Sequence, residues 1–568
     1  MLRSRRAFLF LLAIAVTAAI FYFAPNPTPE GMYQATLTIQ NGNLTDTAQF
    51  AFNLTSMISE SLATKTSSTG THYRFDVTYR EIYNLSPGKK IETDVAIFDL
   101  QGEPVTVQPA DASMTLSDTR FVYEVTIGPS AVTENRLTFS YTPLLRSKEV
   151  FSLFALVAVL WLTEVVPLGI TSLLFAVSMV VLGIRDAAVV LAPFFDPIVA
   201  LLLGGFILAS ALSKYGVDAI LTSRLIKFGY KDAKTFLFVS MLTSAALSMW
   251  IPNTTATIIM LPLIRGNLKR LRGAKEGFIK ATLIAVAYAS NIGGIGTLIG
   301  TTTPPIAAGS LRNFLRIPVT FTDWLPFGLT TVAVMLPMTY LVLVRLFKVK
   351  GTFQEVIELE RIPFRRGQAV TTGIFALTIL LWVTESIHGI PSGIVALIGC
   401  VLIFVFGLLD SDDLRRIDWN TLLLIGGALS LGSTIFATGV GDWLALQLSG
   451  LEVSSHILIL LAAGALSLAL TQFVSNTAAA ALLAPVYIPL AISMGVDPKL
   501  LVIMACGIVS SLAFMFPFST PPNAIVFGTG GVKLRDMVNA GILVTALSLP
   551  LATIVLPYLW SFLGLVRL

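Results

Sequence analysis

The chain has 568 residues, of which 55% are hydrophobic and 12% charged, with a mean hydropathy of +0.80. Soluble domains carry about 25% charged residues, so a soluble globular protein is excluded and an integral membrane protein is expected. The formal net charge of +5 does not point to a nucleic-acid partner, because Lys and Arg fall mostly in short connections between apolar runs, where they report topology.

In chain order, Met1 to Arg6 is basic and 7–23 is apolar, with no small-x-small cleavage pattern before Pro25. Residues 1–24 are therefore expected to be an uncleaved first transmembrane helix, its arginines holding the N-terminus in the cytoplasm. Residues 30–145 break with everything else, being rich in Thr, Ser and Tyr with period-two runs such as 35–40, 73–79, 94–99 and 121–127. Alternation bounded by Asn-Gly, Pro-Gly and Gly-Pro turns predicts a small all-β, sandwich-like domain. One preceding crossing places it outside the cytoplasm, with a partner the sequence does not name.

From residue 148 onward the apolar segments predict about ten further crossings and two re-entrant hairpins, an all-α polytopic membrane protein of about eleven transmembrane helices. The first transporter unit spans 148–346 with a hairpin at 235–263. A cytoplasmic linker follows at 347–367, and a second unit spans 368–568 with a hairpin at 456–492. Segments assigned to the cytoplasm hold most of the Lys and Arg, including Lys214, Lys234, Arg265, Lys280, Arg345, Arg415 and Arg416, whereas those assigned outside hold Arg185, Arg312, Arg316, Lys499 and Arg567. That bias puts the C-terminus and the β domain on the extracytoplasmic side of an inner or plasma membrane. Segment 214–234 reads as an interfacial amphipathic helix.

The two units repeat one another. Trp161-Leu-Thr-Glu164 recurs as Trp382-Val-Thr-Glu385, Leu203-Gly-Gly205 as Ile425-Gly-Gly427, and Asn253-Thr254 as Asn476-Thr477, at nearly the same interval. An odd number of crossings lies between the units, so an inverted repeat is expected. The glycine pairs read as close-packing positions. Glu164 and Glu385 read as helix-end groups.

The polar breaks carry the chemistry. Ser248-Met-Trp-Ile-Pro252-Asn253-Thr254 and Thr471-Gln-Phe-Val-Ser475-Asn476-Thr477 form the hairpin tips. Their interrupted partners are Ser290-Asn-Ile-Gly-Gly-Ile-Gly-Thr-Leu-Ile-Gly-Thr301 and Phe516-Pro-Phe-Ser-Thr-Pro-Pro-Asn523. Gly and Pro there free backbone carbonyls, which suit a small hard cation beside Asn or Ser oxygens, and leave half-helix N-termini, which suit an anion. No Lys, Arg, Asp or Glu lies in these four segments. A buried proton relay or an arginine clamp is thus disfavoured, and an anion would lean on helix dipoles and co-bound cations. No catalytic constellation is present, nor a cysteine framework, since Cys400 and Cys506 lie in apolar segments.

The tips, the Gly-Thr and Ser-Thr-Pro-Pro-Asn breaks and the Trp-x-Thr-Glu repeats resemble the divalent anion/sodium symporter family, whose members carry dicarboxylates, tricarboxylates or sulfate. The resemblance covers the first helix and 148 to the C-terminus. It implies a homodimer joined through scaffold domains, with a transport domain that moves as an elevator. It further implies substrate contacts from Asn253, Thr254, Thr301, Ser475, Asn476, Thr477, Thr520 and Pro521. One sodium site would be framed by Ser248, Asn253 and Gly300, and the other by Thr471, Asn476 and Ser519, with Na⁺ as coupling ion. Pro252 stands where the family pattern has a serine, and Thr302-Thr303 where it reads Pro-Pro. The leading expectation is a sodium-coupled carrier of a small dianion such as succinate. The alternatives are a sulfate or other oxyanion carrier, a sodium-independent exchanger, and a membrane-anchored sensor with a ligand-binding β domain.

Overall fold

The computed structural model describes residues 9–10, 12–18, strand backbones between 32 and 143, and then 147–226, 228, 232–268, 276–351, 366–438, 440 and 455–566. Most of the expected first helix and most of the linker at 347–367 lie outside the described residues. Two compact units emerge, one comprising Met1–Ala13, Leu156–Thr434 and Leu448–Leu568, the other Ile14–Ala155 and Ile435–Gln447.

In the second unit, the described residues between 32 and 143 form nine strands: β1 Met32–Asn41, β2 Leu44–Asn53, β3 Ser59–Thr66, β4 His72–Arg80, β5 Lys90–Phe98, β6 Val107–Gln108, β7 Ser113–Ser117, β8 Arg120–Ile127 and β9 Asn135–Pro143. They pair antiparallel in the order β2-β1-β9-β8-β7-β5-β4-β3, with β6 on β8.

The first unit is helical. Among the described residues, seven helices are long and apolar enough to cross a membrane: Ala187–Lys214, Phe321–Leu346, Arg366–Val383, Trp419–Ala437, His456–Phe473, Asn476–Ser493 and Leu534–Phe562. Shorter apolar helices, including Leu168–Val181, Ala233–Ser248 and Ser392–Val405, bring the rest of the apolar sequence into the bundle. The chain is a multi-pass membrane protein.

In a bilayer, helices associate by close packing rather than by hydrophobic burial, so small residues decide where they meet. A Cβ on Gly204 would come within 2.5 Å of the Ala396 carbonyl oxygen, which locks helix Pro197–Lys214 against helix Ser392–Val405. A Cβ on Gly427 would meet Ser172 Cβ at 2.2 Å, the same device in the other copy of the Gly-Gly pair. The Trp-x-Thr-Glu motif also acquires a reason. The Trp161 indole N–H donates to the Leu168 carbonyl (3.1 Å) and that of Trp382 to the Ser392 carbonyl (3.0 Å). Each indole thereby ties the end of one helix to the start of the next. Glu385 accepts a hydrogen bond from Ser392 at that corner, and Glu164 adopts φ +48° just past its helix. Both are helix-end positions.

Two helical hairpins form the centre. Ala233–Ser248 turns through 249–252 into Asn253–Leu268, and His456–Phe473 turns through Val474 and Ser475 into Asn476–Ser493. Both turns fall at the expected tips, although the first hairpin extends beyond 235–263 at each end. Behind the first tip, Trp250 stacks on Phe321 at 6.4 Å, and Phe321 on Trp382 at 4.7 Å. Segment 214–234 is helical over Val217–Ile226.

Candidate functional site

Each hairpin meets an interrupted helix of its own half. Helix Glu276–Gly294 stops, 295–302 is non-helical, and Thr303–Leu315 resumes. In the other half, Pro498–Val502 runs through a π turn at Ile503–Ile508 and a 3-10 turn at Val509–Ser511. The chain is then irregular until Pro521–Gly528 begins.

Glycine builds the first interface. A Cβ on Gly293 would lie 2.3 Å from Ala245 Cα, one on Gly294 2.2 Å from Asn253 Oδ1, and one on Gly300 2.4 Å from the Ser248 carbonyl oxygen. The tip therefore rests directly on its partner's backbone. The second interface has no such glycines and is tied by Gln472 instead. Its Oε1 accepts from the Met515 N–H (3.1 Å), its Nε2 donates to the Leu512 carbonyl (3.3 Å), and its own carbonyl accepts from Ser519 Oγ (2.6 Å).

The paired asparagines occupy matched positions. Ser248 Oγ lies 2.6 Å from Asn253 Oδ1, and Thr471 Oγ1 lies 2.8 Å from Asn476 Oδ1, each pair five residues apart across the tip. Thr471 Oγ1 also reaches the Ser510 carbonyl at 2.5 Å. The Asn253 amide can turn either end toward this cluster. In one orientation, Oδ1 faces only oxygens, namely Ser248 Oγ and the carbonyls of Gly300 and Ser290. In the other, Nδ2 takes that place and donates to the same three at 2.6, 3.2 and 3.2 Å. The first orientation suits a cation among the oxygens, and the second satisfies the cluster without one.

Between the tips lies a cavity of about 550 Å³. Asn253, Thr254, Thr301, Ser475, Asn476, Thr477, Thr520 and Pro521 all line it, as do Gly300 and Ser519. Ser248 and Thr471 sit behind the asparagines, fully buried and joined to them. The structure thus brings the whole set of sequence-derived candidates together. The first turns of Asn253–Leu268, Asn476–Ser493 and Pro521–Gly528 and the N-cap of Thr303–Leu315 all border the cavity. Four positive helix ends therefore converge on one space.

Several contributors escaped the sequence reading. Asn291 also lines the cavity, donating to Thr520 Oγ1 at 3.0 Å and lying 3.5 Å from the Asn253 amide, so one side chain joins the two halves. The Thr302 and Thr477 hydroxyls share a 2.6 Å hydrogen bond across the halves, and Thr303 Oγ1 donates to the Gly507 carbonyl at 2.8 Å. The Thr-Thr departure thus supplies cross-links that proline could not. Pro252 stands at the N-terminal end of its helix, where its counterpart Ser475 accepts from the Ala478 N–H at 3.2 Å. Proline in that place removes a helix cap. Arg416, Asp418 and Thr421, from another part of the sequence, also line the wall, as do Phe206, Ala209, Ser210 and Ser213 of helix Pro197–Lys214.

A family model described as a citrate transporter matches residues 158–507 and 379–566. The chain belongs to the citrate-transporter family, among the divalent anion/sodium symporters. An uncharacterised transporter of Haemophilus influenzae is 35% identical over 409 residues, covering 69% of this chain and 87% of that protein. The sodium-dependent dicarboxylate transporter SdcS of Staphylococcus saprophyticus is 30% identical, covering 71% and 84%. Among solved structures, the YdaH transporter of Alcanivorax borkumensis shares the fold with a TM-score of 0.50 at 16% identity, over 66% of this chain and 87% of that one. These relatives of the transporter are not enzymes. The family model's match leaves the strand-bearing segment 32–143 uncovered.

Proposed function

We propose that this transporter carries small divalent anions, dicarboxylates such as succinate, in symport with sodium. The convergence of four helix N-termini on a cavity whose tips and partners hold no charged side chain carries this reading. Each helix end presents the positive pole of its macrodipole, about half a charge; prolines at the starts of Thr303–Leu315 and Pro521–Gly528 remove N–H donors there, and the hydroxyls of Thr254, Thr301, Ser475, Thr477 and Thr520 supply donors. With its amide oxygen turned toward them, Asn253 would join Ser248 Oγ and the Gly300 carbonyl in holding sodium, with the Ser290 carbonyl as a further ligand. Thr471, Asn476 and Ser519 would hold the second ion. Similarity to a sodium-dependent dicarboxylate transporter supports the same assignment.

We further propose that the hairpins are re-entrant, that the two units form an inverted repeat, and that hairpins and partners move together as an elevator against a dimeric scaffold. In this reading the N-terminus is cytoplasmic, and segment 30–145 is an extracytoplasmic β domain that meets a separate partner. A second reading, sodium-independent exchange, draws on the other orientation of the Asn253 amide, in which the first cation position is satisfied by hydrogen bonds alone. Uptake of labelled succinate and sulfate by purified protein in liposomes, with and without a sodium gradient, tests both. Succinate accumulation driven by inward sodium supports symport. Counterflow indifferent to sodium establishes exchange, and sulfate uptake without succinate uptake refutes the dicarboxylate assignment.

A further inference from the structure

The cavity is built from neutral groups at its centre, yet its wall carries one cation and one anion. Arg416 and Asp418 are the charged side chains that border it, and neither belongs to a hairpin or an interrupted partner. Both lie between the short helix Ser411–Arg415 and helix Trp419–Ala437. Asp418 is fixed in place by Thr421, Oδ1 accepting from its N–H at 3.1 Å and Oδ2 from its Oγ1 at 2.5 Å, and these neutral donors leave its negative charge intact. Among the described residues no hydrogen bond or close ion pair engages the exposed Arg416 guanidinium, although it lies within electrostatic reach of the Asp413 carboxylate.

The backbone beneath that guanidinium is held firmly. The Arg416 N–H donates to the Asp413 carbonyl at 3.1 Å. Asp410 caps the short helix through the N–H groups of Asp412 and Asp413, and Lys214 Nζ pairs with Asp413 Oδ2 at 2.5 Å. The Trp419 indole N–H donates to the Leu414 carbonyl at 3.2 Å, and Ile417 is buried. A free guanidinium on an anchored turn thus borders a cavity into which four helix N-termini point. The ordinary alternative is a solvated arginine that contributes nothing.

We propose that Arg416 is a capture residue on the cytoplasmic side, drawing the dianion from the cytoplasmic solution toward the hairpin tips and holding it loosely before the tips close on it. This rests on the anion-carrier reading above. Because Arg416 stands outside the hairpins and their partners, its effect falls on substrate arrival rather than on turnover. Steering by a fixed charge raises association rates and fades with ionic strength, the screening length being about 8 Å at physiological salt.

The test is initial-rate uptake of labelled succinate into proteoliposomes whose cytoplasmic face points outward, by the parent, Arg416→Gln, Arg416→Ala and Arg416→Lys. Neutralisation should raise KM by about three- to ten-fold, within the range that steering supplies, and leave kcat within about two-fold. Lysine should restore most of the loss. Raising ionic strength at constant sodium should bring parent and neutral variants together, and a monoanionic competitor should lose less affinity than succinate. Unchanged KM in both neutral variants, each folded by melting temperature and size exclusion, overturns the assignment. So does a KM ratio indifferent to salt, or a loss confined to kcat. A parent that takes up neither succinate nor sulfate fails at the earlier step and refutes the anion-carrier reading itself.

Discussion

Gly294→Ala separates the site from the fold more sharply than removal of a ligand would. The new methyl would sit 2.2 Å from Asn253 Oδ1, with Asn253 Cγ and Thr301 Cβ both at 3.1 Å. Cβ atoms essentially never approach another heavy atom closer than 3.0 Å, so something must move by about 1 Å, and the freest atom is the end of the Asn253 amide. Overpacking of this kind costs typically 1–3 kcal/mol. Here the strain is released by swinging Asn253 away from Ser248 and from the first cation position. The expected outcome is a protein that melts within a few degrees of the parent and has lost sodium-dependent succinate uptake. Gly300→Ala provides the contrast, because its methyl would meet the Ser248 and Gly294 carbonyl oxygens at 2.4 and 2.6 Å, and backbone cannot step aside. That variant should lose stability as well as transport. Gly373→Ala is the control. Nothing lies within 4 Å of its added Cβ, and a helix-interior alanine should stabilise by up to about 1 kcal/mol. Full uptake by Gly294→Ala, or equal melting losses at 294 and 300, would refute the reasoning.

Asn253→Ala and Asn476→Ala should each abolish uptake with assembly intact; near-normal uptake by either, correctly inserted, would sink the paired-site assignment. Pro252→Ser should add the cap that Ser475 supplies in the other half, worth about 1 kcal/mol, and shift sodium activation to lower concentration. An unmoved activation curve and melting temperature would disprove this. Replacing 30–145 with a short Gly/Ser linker should leave succinate affinity within a few-fold, because every proposed ligand lies beyond that segment; a well-folded product that binds no substrate would make the β segment part of the site. Finally, the hydrogen bond from Lys214 holds the Asp413 carboxyl below its ordinary range. A depressed carboxylate contributes stability above its ordinary pKa of about 3.9, which is lost as pH falls through the lowered value. The melting difference between the parent and Asp413→Asn should therefore persist at pH 5 and vanish only below about pH 4, and its disappearance by pH 5 would contradict the pairing.

The hairpins and the identity of their tips were legible because a bilayer tolerates Asn, Ser and Thr in apolar runs only when something satisfies them, and the same pattern stood twice. Trp161 and Trp382 were visible as a repeat, but their reason, an indole N–H reaching across a corner, needed coordinates. Asn291 and Gln472 were hidden for a different cause. Each is a single polar residue in a stretch already marked as interesting, and nothing local says that one bridges to Thr520 while the other replaces a missing set of glycines. Arg416 could not have been found from the sequence at all. It looked like an ordinary topological marker, and only the fold carries it to the cavity wall. The departures Thr302 and Thr303 were noticed as missing prolines, whereas their hydroxyls make bonds that the expected residues could not.

The absence of charged side chains from the tips and their partners has an electrical consequence. The tips add no charge at the substrate position, and charges elsewhere on the hairpins, such as Lys234 and Arg265, return to their starting side in every complete cycle, so the net charge moved per cycle is the valence of the cargo alone. Each net charge crossing 100 mV exchanges about 2.3 kcal/mol with the membrane potential. Two sodium ions with a dianion are electrically silent, three carry one positive charge inward, and one-for-one anion exchange of equal valence is silent at every voltage. The reversal potential, measured against the succinate gradient, therefore counts the coupling ions directly, with no correction for the protein.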